Sequence, residues 1–175
     1  MIRPEDFDFH FDESSDWQWA ETLALPFTLV DENINVVTRP KLGVCMCDIT
    51  MLDRIAPLWE EQLYVDNMQH LPCPETLTSF TLPNGLSFEV IEPLKLYRMK
   101  YEGFEDTSFE LEYRALHEPF DINDPEMDPT AASRNGPAWD ASWSGHYEQT
   151  YRITGTLTVR GKTYQVNCVE TGDRS

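Results

Sequence analysis

The chain has 175 residues, of which 41% are apolar and 12% aromatic, enough for one domain with its own core and too much for global disorder. Its formal net charge is −18, which makes polyanionic nucleic acid and anionic membrane surfaces poor partners. The acidic start has no leader-like apolar stretch, and no apolar run reaches the roughly 18 residues of a membrane span, so a cytoplasmic protein without a membrane span is expected.

In chain order, residues 1–20 read as an acidic N-terminal arm, with His10 on its surface. Residues 23–30 read as an edge strand, because Pro26 cannot donate to a ladder. Strands follow over 33–38 and 42–51, and a more ambiguous one over 55–65 with Trp59 in the core. Residues 76–82 and 86–92 flank Pro83-Asn84-Gly85, which predicts a hairpin closed by a type I′ turn at Asn-Gly. Residues 94–101 alternate again. The clearest period of two lies in 107–116, with Phe109, Leu111, Tyr113 and Ala115 on one face and Glu110, Glu112 and Arg114 on the other. Residues 118–142 hold four prolines among repeated aspartates and read as a long acidic loop. Strands resume over 147–159, turn at Arg160-Gly161-Lys162, and return over 163–169. The expectation is a single all-β domain over 1–175, an antiparallel barrel or sandwich of about nine strands with almost no helix.

The acid is unevenly spread: residues 1–35 carry −8 and 102–148 carry −10, while 149–175 carry +2. Cys45, Cys47, Cys73 and Cys168 read as reduced, buried apolar thiols. A metal site from Cys45, Cys47, His70 and Cys73 is conceivable, but the spacing matches no common zinc pattern. No glycine-rich phosphate loop, Gly-x-Ser-x-Gly elbow or His-Glu-x-x-His motif is present, so neither metal nor cofactor is expected.

Four pieces in order carry a resemblance: Arg39 to Val44 (RPKLGV), Leu82 to Leu94 (LPNGLSFEVIEPL) with Tyr97 and Arg98, His146 to Thr150 (HYEQT) with Thr154 to Gly161, and Val166 to Cys168 (VNC) with Asp173, Arg174 and Ser175. Together they resemble the lipocalin-like superfamily of carotenoid 1,2-hydratase and the AttH-like proteins. Such members usually have two lipocalin-like halves, the first ending in Arg-Asp-(His/Arg)-Ser-Trp-Gly. Asp173, Arg174 and Ser175 match that motif, whereas Gly172 stands where a basic residue is usual. The chain therefore looks like a lone N-terminal half. The resemblance implies a lipocalin-like fold and cofactor-free acid chemistry, a hydratase, lyase, isomerase or cyclase acting on a terpenoid- or steroid-like substrate.

On that reading Asp173 is the first choice for a general acid, its structural alternative being a pairing with Arg174 or a backbone amide. His146 and Glu148, two apart, share a strand face and form an acid/base pair if that face is inward. Trp17, Trp19, Trp139 and Trp143 read as the rim of a ligand cavity or as packing over barrel ends, with Tyr97 and Tyr147 also lining the ligand. The alternative function is a non-catalytic module that binds a small hydrophobic ligand or pairs with a second half-domain chain. A homo-oligomer or hetero-oligomer is expected in either case.

Overall fold

The computed structural model describes residues 1–10, 21–29, 34–38, 41–42, 45–53, 62–133 and 145–174. Among these it forms thirteen strands: β1 Glu21–Ala24, β2 Phe27–Leu29, β3 Ile34–Thr38, β4 Lys41–Leu42, β5 Cys45–Asp53, β6 Gln62–Leu71, β7 Ser79–Thr81, β8 Leu86–Glu92, β9 Leu96–Glu102, β10 Ser108–Ala115, β11 Phe120–Asp121, β12 Tyr147–Val159 and β13 Lys162–Arg174. Among the described residues the helical content is two single 3-10 turns, Pro4–Phe7 and Ala131–Ser133. The protein is all-β, a strongly curled antiparallel sheet of barrel-like shape, as the period-two patterning requires. Among the described residues no helix is long and apolar enough to cross a membrane.

The sheet runs β2-β3-β5-β4-β1-β13-β12-β10-β9-β8-β7, with β6 on β5 and β11 on β12. Its spine is the β12–β13 hairpin, paired without interruption from Tyr147↔Arg174 to Val159↔Lys162. Arg160 and Gly161 both have positive φ (48° and 80°), the two-residue turn whose twist suits paired strands.

The strand count exceeds nine because long runs divide. Residues 23–30 split into β1 and β2 around Pro26, whose missing N–H interrupts the ladder. The 42–51 run splits into β4 and β5. Of the 76–82 run only β7 is ladder; Leu77, fully buried, gives its N–H to the Asp8 carboxylate instead. The 55–65 reading lies mostly outside the described residues, and the strand itself runs on through β6 to Leu71.

The Pro83-Asn84-Gly85 hairpin forms, but not with a type I′ turn. The Gly85 N–H donates to Leu82 O at 3.0 Å and the Leu82 N–H to Leu86 O at 2.7 Å, and of Asn84 and Gly85 only Gly85 has positive φ (93°). Proline holds φ negative and suits the second position of an ordinary type I turn, which glycine then closes in the left-handed region.

Alternation sends one side chain in two to the concave face. Phe88, Tyr97, Met99, Tyr101, Phe109, Leu111, Tyr113, Tyr147, Tyr151, Ile153 and Leu157 are all buried there. The acidic loop is built with its aspartates as turn closers: Asp121, Asp124 and Asp128 accept backbone N–H bonds from Asn123, Glu126 and Thr130. β11 then adds two residues to the edge of β12.

Candidate functional site

The concave face is an aromatic wall. Tyr97 lies tilted against Phe88 (ring centroids 5.7 Å, interplanar 32°) and meets Tyr151 edge-on (5.7 Å); Tyr113 meets Tyr151 edge-on at 5.9 Å. Residues 4–10 lie across it. The Phe7 ring, 2% exposed, stacks on Phe88 at 5.7 Å and on Tyr97 at 5.1 Å.

Polar groups at this wall are unevenly satisfied. Tyr151 donates to Gln149 Oε1 (3.1 Å), and the Gln149 amide donates to the carbonyls of Leu94 (2.9 Å) and His117 (2.7 Å). Tyr113 donates to Leu25 O at 3.2 Å. The hydroxyls of Tyr97 and Tyr147 are buried without a completed hydrogen bond, Tyr97 having the Tyr151 hydroxyl and the Leu94 backbone among its polar neighbours. Burial is the main cause that pushes both phenols far above their usual range, so each stays neutral and keeps a proton to donate.

Arg174 closes the end of this face. Its side chain is 1% exposed and pairs with Glu21, 3% exposed, while donating to Phe7 O at 3.0 Å and Asp8 O at 2.9 Å. Glu21 in turn accepts the His10 N–H at 2.7 Å. Asp8 accepts from Leu77 N (2.8 Å), Phe9 N (2.9 Å) and the Thr76 hydroxyl (2.7 Å). Residues 4–10 of the expected acidic arm are thus docked on the sheet, with His10 itself exposed.

Asp173 and Glu148 are brought together on the other face, with His146 beside Glu148 just before β12. Glu148 and Asp173 are cross-strand partners on β12 and β13. His146 Nε2 stands 3.8 Å from Glu148 Oε1, with His146 buried and Glu148 half-exposed. Strand alternation puts Glu148 and Asp173 out of phase with the buried Tyr147 and Arg174. Tyr97 and Tyr147 do line the wall, whereas Trp17, Trp19, Trp139 and Trp143 lie outside the described residues. At Gly172 a Cβ would fall 2.6 Å from Ala24 O and 2.9 Å from a Leu25 methyl, so a side chain at this position has no room.

A second buried polar cluster was not legible in the sequence. Tyr101 donates to Asp66 Oδ2 at 2.7 Å, Asn84 Nδ2 donates to the same oxygen at 3.1 Å, and the Tyr64 and Tyr101 hydroxyls lie 2.5 Å apart. Its one signal was Asp66 standing two residues after Tyr64, in the same phase of a strand. In the β5–β6 hairpin Cys45 pairs with Leu71 and Cys47 with Met68; Cys73 is exposed, not buried, and Cys168 half-buried, both as free thiols. Among the described residues no three His, Cys, Asp or Glu side chains gather as metal ligands.

Residues 4–175 match a domain family of unknown function, DUF7064. The chain belongs to that family. No curated protein and no solved structure matches it.

Proposed function

We propose that this DUF7064 chain binds one small lipophilic molecule, terpenoid- or steroid-like and carrying an oxygen atom, on the concave aromatic face. The observation that carries this is the pair of neutral phenols, Tyr97 and Tyr147, buried on that wall without completed hydrogen bonds. An unsatisfied buried donor costs about 1–3 kcal/mol, which a ligand oxygen recovers. Aromatic walls with a few placed polar groups suit such guests. The reading accords with the lipocalin-like resemblance, with a cytoplasmic location in which Cys73 and Cys168 stay as free thiols, and with a second half-domain chain completing the open sheet.

The test is titration of the purified chain with retinol, followed by intrinsic fluorescence. Saturable one-to-one binding is expected, weakened about tenfold in the Tyr97→Phe/Tyr147→Phe double variant, the worth of one to two hydrogen bonds. Absence of saturable binding overturns the reading.

Cofactor-independent hydratase or isomerase chemistry is the second reading, favoured by the convergence of His146, Glu148 and Asp173. Incubation with an acyclic terpenoid alkene, with mass spectrometry for the gain of one water, separates the two. Turnover lost in Asp173→Asn supports catalysis; binding without turnover in the unmodified chain supports the binding module.

A further inference from the structure

The segment 4–10 has an unusual division of labour. In it Pro4, Glu5 and His10 are exposed, Asp6, Asp8 and Phe9 are half-buried, and Phe7 is the one fully buried side chain. Its ring lies nearly parallel to Phe88 (9°) and to Tyr97 (24°), as a flat guest would lie. The rest of the attachment is mostly polar: Arg174 holds two backbone carbonyls, Glu21 holds the His10 N–H, and the Asp8 carboxylate holds Thr76 and Leu77, while Phe9 packs half-buried against the same core. Lifting the segment leaves Arg174 with its Glu21 partner, so no buried charge is stranded. It also uncovers Tyr97, whose hydroxyl the segment leaves without a completed hydrogen bond. Phe7 fills the apolar part of the seat and not the polar part.

We propose that residues 4–10 are a displaceable plug: the Phe7 ring occupies the seat on Phe88 and Tyr97 where a flat or polyene guest docks, its oxygen reaching the phenols, and guest binding lifts the segment. This rests on the binding reading above and adds where the guest sits and what it must displace. Because the bound form requires an open plug, apparent affinity is reduced by the fraction of molecules that are open, and loosening the plug raises affinity without any new contact.

The experiment compares three full-length chains, unmodified, Phe7→Ala and Asp8→Asn, each titrated calorimetrically with retinol and with 2-naphthol. Circular dichroism and cooperative melting confirm that each is folded. Phe7→Ala is expected to bind both probes at least about tenfold more tightly, since it vacates the seat. Asp8→Asn, which leaves the seat's walls intact and removes one anchor, is expected to bind a few-fold more tightly. A gain in Phe7→Ala alone overturns the plug, because it reports only an engineered cavity. Retinol binding of equal affinity in all three chains also overturns the plug while leaving the binding reading standing. No binding by any of the three overturns both.

Discussion

Gly103 shows how tightly single residues are specified. A Cβ there would stand 2.2 Å from the Tyr64 hydroxyl and 2.3 Å from that of Tyr101. The two phenols and Asp66 form the polar tie between β6 and the β8–β9 part of the sheet, with Phe104 N donating to Tyr64 at 3.3 Å. Gly103→Ala must displace the phenols and strand the Asp66 carboxylate. A loss of about 2–4 kcal/mol in urea unfolding is expected. Tyr101→Phe, which removes one donor and keeps the ring, should cost less, about 1–2 kcal/mol. Equal stability of Gly103→Ala and the unmodified chain would show that the tie is dispensable. None of this was readable beforehand: Asp66 looks like any strand carboxylate until Asn84 and Tyr101 arrive from elements 18 and 35 residues away.

At the scale of elements, the chain's two ends meet. β13 brings Arg174 beneath the docked segment 4–10, and β1 brings Glu21 to it. Removing one member of a buried ion pair leaves the other charged and uncompensated, so Arg174→Met is expected to cost about 3–5 kcal/mol. The Arg174→Met/Glu21→Gln double variant should cost less than the two single losses combined, a difference that a double-mutant cycle in urea measures.

The docked segment also has a pH signature. Burial raises the Asp8 carboxyl, but the bonds from Leu77, Thr76 and Phe9, with the Arg174 charge, outweigh it and hold the group below its usual range. A depressed carboxyl contributes stability above its unfolded pKa, about 4, and loses it as pH falls through the lower folded value. Asp8→Asn should therefore be less stable than the unmodified chain at neutral pH, and the gap should close below about pH 4. A gap that persists in strong acid would remove the carboxylate from the anchor. Hairpins were legible at this scale because turn residues and alternation are local. The division of residues 23–30 at Pro26 and the turn type at Asn84-Gly85 were not, since each depends on what a proline denies to its neighbours.

For the whole molecule, the concave wall predicts alkaline unfolding. Desolvation raises Tyr97, Tyr101, Tyr113, Tyr147 and Tyr151 well above the ordinary phenol value of 10.0. A raised phenol keeps its stability below the unfolded value and loses it as pH rises, because the unfolded chain releases protons that the folded one retains. Phenolate absorbance is expected to appear above pH 10 in one cooperative step with loss of near-ultraviolet circular dichroism. A gradual rise in absorbance with the fold intact would show that water reaches the wall.

The sequence by itself determined the fold class, because alternation along a strand is a local pattern that burial of one face enforces. It also named Tyr97 and Tyr147 as ligand-lining, and it put His146 and Glu148, two apart, on one face of a strand, with Asp173 singled out by its motif alone. Only the tertiary structure decided that Glu148 and Asp173 are cross-strand partners on the face opposite the phenols. That depends on which side of the sheet curls inward. It alone decided that Phe7, in an acidic stretch, belongs to the core. Membership of a core follows from which distant elements close over a side chain, and here Phe88, Tyr97 and Arg174, scores of residues away in sequence, do the closing.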